Sequence, residues 1–162
     1  MVVTAGQVEI EIAEDRQLEF QISGLDVAAD VVQCVGVVER RVEHGAPGGA
    51  LVIVKQVHSA RALAVTEPFA PNDLPEVDAL ATATPGLVLG IVTADCAPVL
   101  LADGEGKVVG AAHAGWRGAL GGVLEQTVAA MEQLGAVRDR IRAVIGPAIA
   151  QASYEVDASL CE

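Results

Sequence analysis

Apolar and polar positions alternate twice near the start of the chain, at Val8, Ile10 and Ile12 with acids between them, and again at Leu18, Phe20 and Ile22. A period of two places one side of a strand inward, so the two runs predict an N-terminal hairpin turning between Ala13 and Gln17. From Asp30 the spacing changes. Val31, Cys34, Val35, Val38 and Val42 recur three and four residues apart, which predicts a helix over about 30–44. Asp26 or Asp30 is available as its N-cap and Gly45 as its stop.

The run ALVIVKQVHS then predicts a buried strand ending at His58, followed by a surface loop in which Pro68, Pro71 and Pro75 forbid a regular ladder. LVLGIV at 87–92 is almost continuously apolar, as in a strand covered on both faces. Strands near 98–102 and 107–112 flank DGEG, whose Asp-Gly start favours a tight turn. Leu120, Val123, Leu124, Thr127, Val128, Met131 and Leu134 mark one face of the longest helix, closed by Gly135. IRAVIG predicts a last short strand before Pro147. No internal repeat or low-complexity segment interrupts this order.

At 162 residues one domain suffices. The 52% hydrophobic content is aliphatic, since there are only one Trp, one Tyr and two Phe. A formal net charge of −12 repels polyanions, so neither nucleic acid nor an acidic membrane surface is an expected partner. The acidic opening is unlike a secretory signal, and no apolar run reaches the roughly 18 residues of a membrane span. A cytoplasmic location is expected. Cys34, Cys96 and Cys161 form no CxxC pair, which points to thiol chemistry or burial rather than disulfide stapling.

Chemistry concentrates at strand ends. His58 in QVHSA and His113 in AAHAGWRG follow predicted buried strands, and Cys96 in TADCAPVLL holds the same kind of place. Open sheets put their sites at such ends. Two imidazoles and a thiolate suit zinc and leave a fourth tetrahedral position open, the catalytic form of such a site. Copper, particularly Cu(I), accepts the same donors, and by spacing alone the three match no short zinc motif. Asp78 and Asp95 lie near the same ends and could each hold a ligand histidine by its far nitrogen. Arg117 sits beside the start of the long helix, where backbone N–H groups favour an anion such as phosphate. Each has an ordinary alternative: Cys96 as a packed small side chain, His58 bonded to a carbonyl, Arg117 in a surface ion pair, Trp116 as a core or rim aromatic. His44 suits a helix end, Cys34 a helical core face, and Cys161 has no evident role.

QVHS, VDAL, TADCAPVLLAD, VVGAAHAGWRG and IGPAI…SYEV, in this order from about Val54 to Val156, closely resemble the YfiH/YlmD family, labelled laccase-domain or polyphenol oxidase proteins and purine nucleoside phosphorylases. The resemblance implies zinc on His58, Cys96 and His113. It also implies phosphorolysis of adenosine, inosine, guanosine and methylthioadenosine, with adenosine deamination at the same site. Bacterial relatives are assigned to peptidoglycan editing as well. The implied fold is α/β (α+β), a four-layer α/β/β/α sandwich with mixed sheets. Residues 1–162 would then be a single domain shortened at both ends relative to the family, with Ala148 and Ser153 where many relatives have cysteines. The catalytic set expected on these grounds is His58, Cys96, His113 and Arg117, acting on a purine nucleoside and phosphate. Two rivals remain: a non-catalytic metal-binding member, and a hydrolase in which His113 activates Cys96 as nucleophile. Copper-dependent phenol oxidation is less favoured, because one three-ligand site lacks the further His-rich centres that oxygen reduction needs.

Overall fold

The structure is a computed structural model that describes the backbone of residues 2–4, 7–10, 20–23 and 29–35, and residues 50–105 and 107–155 in full. The strands are β1 (Val2–Thr4), β2 (Gln7–Ile10), β3 (Phe20–Ser23), β4 (Ala29–Val35), β5 (Ala50–Val52), β6 (Ala62–Ala64), β7 (Ala79–Thr82), β8 (Leu87–Thr93), β9 (Ala97–Asp103) and β10 (Val109–Ala114), with β11 (Ile141–Ile145) last. Helices α1 (Trp116–Gly121) and α2 (Val123–Gln133) lie between β10 and β11. The strands form a four-stranded sheet in the order β1-β4-β8-β5, a five-stranded sheet in the order β11-β9-β10-β7-β6, and a separate β2-β3 pair. Both larger sheets are mixed, because β8 runs parallel to β4 and β5 while β6 runs parallel to β7.

The expected α+β class is borne out. One face of the five-stranded sheet carries α2, and the other meets the four-stranded sheet. Three of the four expected layers therefore stand among the described residues. Period-two alternation builds the two cores between them. Leu80, Leu100, Ala111 and Val109 point toward the second sheet and join Val52, Leu89 and Ile91. Their neighbours Ala79, Ala81, Val99, Leu101 and Ala112 point the other way, against Val123, Ala130 and Met131 of α2. The helix side is lined by small residues for a steric reason: a Cβ on Gly110 would lie 2.9 Å from Met131 Sδ and 3.0 Å from Thr127 Cγ2. In the run 87–92, Leu87, Leu89 and Ile91 join the core between the sheets and Val88 is buried on the opposite side, whereas Val92 is 48% exposed, so the expected cover on both faces holds for only part of the strand.

Several expectations are corrected. The first half of the helix expected over 30–44 is instead strand β4, paired with β8 from Ala29↔Leu87 to Val35↔Thr93. Val31, Val32 and Val35 are β-branched and favour an extended chain, so the three-and-four spacing was coincidental. Residues 36–44 lie outside the described residues. The N-terminal hairpin is present, with Val8↔Ile22 and Ile10↔Phe20 paired, although its turn at 13–17 also lies outside them. The strand leading to His58 is shorter than expected. It ends at Val52, after which a single bridge joins Lys55 to Glu76. The proline-containing stretch is a loop, yet β6 and β7 flank it. ALAT at 79–82 has little β signal of its own and becomes a strand because β10 and β6 pair with it on either side. The single long helix is broken at Gly122, whose φ of 94° ends α1 and begins α2. Leu120 is consequently 83% exposed rather than on the buried face. Gly135 stops α2 as expected, with φ 100°. Among the described residues, no helix is long and apolar enough to cross a membrane.

Candidate metal centre

The β9–β10 hairpin sets the frame. Its ladder pairs His113 with Pro98 and Ala114 with Ala97, so one further step brings Gly115 opposite Cys96 at the end away from the turn. On the other side of β10, Ala112 pairs with Ala79, and the next step sets His113 against Asp78. The His113 N–H donates to the Asp78 carbonyl at 2.7 Å, and the two side chains meet on the same face. His113 is 3% exposed, and its Nδ1 lies 2.9 Å from Asp78 Oδ1. A carboxylate only accepts, so Nδ1 carries the hydrogen and Nε2 is left to face the opening.

His58 reaches the same spot from the loop between β5 and β6. It is the non-glycine described residue with positive φ, at 59°. Side chains other than glycine adopt this region at a cost of ~1–3 kcal/mol, and such residues gather at functional sites. Histidine is among the types that tolerate it best. Around it the backbone N–H groups of Val57, His58 and Ser59 converge on the Asp78 carboxylate at 3.2, 2.9 and 2.6 Å. Two residues earlier, Gln56 bonds the backbone of Val92 with both ends of its amide, Nε2 to the carbonyl at 2.7 Å and Oε1 from the N–H at 2.9 Å. The side chain thus continues the β8 ladder where β5 has left it. Nothing in the hydropathy pattern signals this role for Gln56.

His58, Cys96 and His113 each offer one donor atom, and the three lie within 4.8 Å of one another. His58 Nε2 is 3.8 Å from Cys96 Sγ, and the two imidazole rings meet edge to face with centroids 4.8 Å apart. The edges of a tetrahedral zinc site with two nitrogens and a sulfur are about 3.3–3.6 Å, so small side-chain adjustments close the set on one ion. Their exposure is graded, from buried His113 through half-buried Cys96 to exposed His58. One side of the cluster therefore opens to solvent. Among the described residues this is the one group of three or more potential ligands.

Charge supports cation binding. Burial alone would raise the Asp78 carboxyl, but hydrogen bonds from His113, from the Ser59 hydroxyl and from the Ser59 and Val57 N–H groups outweigh it and hold it below the usual carboxylate range. The Cys96 thiol is pushed up by burial and by the negative charges of Asp95 and Asp78. A raised thiol argues against Cys96 as a free nucleophile, and the imidazole nitrogen 3.8 Å from its Sγ belongs to His58. A divalent ion would reverse this, since coordination deprotonates a thiol outright.

The remaining expected residues sort clearly. Asp78 holds a histidine as anticipated; Asp95 instead acts through its charge on Cys96, while its carbonyl accepts from the Ile149 N–H at 2.9 Å. Arg117 is exposed and outside the donor cluster, its guanidinium carbon 4.3 Å from the centroid of the half-buried Trp116 ring. With six residues, α1 is too short to provide the helix-end field expected beside Arg117. Cys34 belongs to β4, whereas His44 and Cys161 lie outside the described residues.

Comparison with known proteins agrees with this architecture. A Deinococcus radiodurans purine nucleoside phosphorylase is 57% identical over 81 residues, covering 50% of this chain and 32% of the relative. Adenosine deaminase RL5, from an unknown prokaryotic organism, is 40% identical over 119 residues, covering 69% of this chain and 45% of the relative. The crystal structure of YlmD from Geobacillus stearothermophilus superposes with a TM-score of 0.63 at 34% identity, over 70% of this chain and 45% of that one. The chain thus spans less than half the length of these relatives. The family model described as multi-copper polyphenol oxidoreductase laccase matches residues 12–162, and the chain belongs to that family, the one with YfiH and YlmD among its members.

Proposed function

We propose that the chain carries the metal site of a purine nucleoside phosphorylase, with zinc held by His58, Cys96 and His113. The observation that carries this reading is the approach of three donor atoms to within 4.8 Å, in a chain whose relatives bear that enzyme's name. Zinc is favoured over copper chemistry because the described residues hold one such cluster, where a multicopper oxidase needs several centres. A zinc ion there would supply Lewis-acid charge beside the reacting part of a nucleoside.

The chain's own groups have separate tasks. Arg117 is an exposed cation in a molecule of net charge −12, and its planar fork suits two phosphate oxygens. It would hold phosphate for attack at C1′ while the bond to the purine breaks, giving ribose-1-phosphate and free base. Trp116 stacks on the guanidinium and restricts its orientation. Buried His113 and Asp78 keep the inner wall of the site fixed and dry.

Incubation with adenosine and phosphate, then with inosine, guanosine and methylthioadenosine, tests the reading. Free purine is expected from each, together with ribose-1-phosphate from adenosine, inosine and guanosine and 5-methylthioribose-1-phosphate from methylthioadenosine, with Cys96→Ser lowering the rate at least ~100-fold and Arg117→Ala chiefly raising KM for phosphate. No phosphorolysis of any of the four by metal-loaded protein would overturn it. The name of the RL5 relative favours a second activity, deamination of adenosine to inosine, which the same incubation reads.

A further inference from the structure

The Asp78 carboxylate touches both histidines of the cluster. Oδ1 lies 2.9 Å from His113 Nδ1 and 2.9 Å from the His58 backbone nitrogen. Oδ2 accepts from the Val57 and Ser59 N–H groups at 3.2 and 2.6 Å and from the Ser59 hydroxyl at 2.8 Å. The side chain is fully buried, with no water to replace a lost partner. The four N–H partners only donate and the hydroxyl can do so, and a carboxylate answers them with two acceptor oxygens and no hydrogen of its own. The three successive N–H groups form a concave anion cradle, the sort of backbone arrangement that binds phosphate elsewhere, here filled by the protein's own side chain.

We propose that Asp78 is the positioning residue that assembles the metal site from two sides. It fixes His113 as the Nδ1–H tautomer, so that Nε2 presents its lone pair to the cluster. It also clamps residues 57–59 so that His58, in its left-handed conformation, aims Nε2 at Cys96 Sγ. A single carboxylate thereby couples a strand ligand to a loop ligand before any ion arrives. The proposal rests on the reading of His58, Cys96 and His113 as metal ligands.

The test uses the full chain and Co2+ alone as probe. Asp78→Asn keeps the shape but turns an NH2 group toward N–H donors. Its Co2+ affinity should fall roughly 10- to 100-fold, with a weakened thiolate-to-cobalt band. Met131→Ala, in the helix–sheet core, controls for lost stability and should bind Co2+ as the wild type does. In metal-free wild type near pH ~8, nitrogen-15 NMR should show His113 protonated at Nδ1. Wild-type affinity and spectrum in Asp78→Asn, an equal loss in Met131→Ala, or His113 protonated at Nε2 would each overturn the proposal. If Asp78→Asn does not fold, the wild-type tautomer decides. A wild type that binds no Co2+ would overturn the metal reading instead, and the tautomer would still decide the role of Asp78.

Discussion

Gly115 faces Cys96 across the open end of the β9–β10 hairpin, so closely that a Cβ on the glycine would lie 3.0 Å from Sγ and 2.8 Å from His58 Cδ2. Its backbone, at φ −67° and ψ 158°, is one any residue adopts. The requirement for glycine here is therefore one of space around the donors. Gly115→Ala should lower metal affinity about 10-fold or more, comparable to other disturbances of the groups supporting a metal site. Competition against a chromophoric chelator measures it, and unchanged affinity would show that the cluster tolerates the methyl.

Gln56 is tested by truncation. Gln56→Ala leaves the Val92 N–H and carbonyl without their side-chain partner, at a cost of about 1–2 kcal/mol for two neutral hydrogen bonds at an exposed site. Because His58 follows two residues later, metal affinity should fall along with the thermal midpoint. Loss of stability with full affinity would mean that Asp78 alone holds the loop.

Asp103 sets a second pH-sensitive point, at the opposite end of β9 from Cys96. Burial would raise its carboxyl, but the N–H groups of Val137 and Glu105 and the Arg140 guanidinium outweigh burial and lower it. A depressed folded value means that the stabilisation is present above the unfolded value near ~3.9 and is lost as pH falls through the folded one. Asp103→Asn should destabilise by about 1–3 kcal/mol at neutral pH. The gap in thermal midpoint should narrow below pH ~4, and a gap independent of pH would refute the assignment.

Metal removal would link the proposed site to folding. An ion that binds only the folded chain stabilises it by about 2.7 kcal/mol at one hundred times its Kd, so a chelator should lower the thermal midpoint. Cys96 must lose its proton to ligate, and its thiol is pushed up by burial, Asp95 and Asp78. The zinc-induced shift should consequently be larger at pH ~8 than at pH ~6. Scanning calorimetry at both values, with and without chelator, checks the sign.

The candidate site was more legible in the sequence than the fold around it. His58, Cys96 and His113 could be singled out because each sits in a short run of small residues beside an apolar segment. The geometry that unites them could not be read, because it depends on register: Asp78 meets His113 only through the pairing of β7 with β10. β4 was misread because valines spaced for a helix are equally fit for a strand, and only the partner β8 decides between them. β7 was missed because alanines carry little preference of their own. The apolar face from Leu120 to Leu134 reads as one helix, yet the left-handed backbone of Gly122 splits it.

Trp116 is the chain's single tryptophan, one residue past Gly115 and stacked on Arg117. Indole emission from this molecule therefore has one address, at the threshold of the donor cluster. An ion or an oxyanion arriving there would announce itself in the native chain's own fluorescence, with no label attached and no second indole to blur the signal.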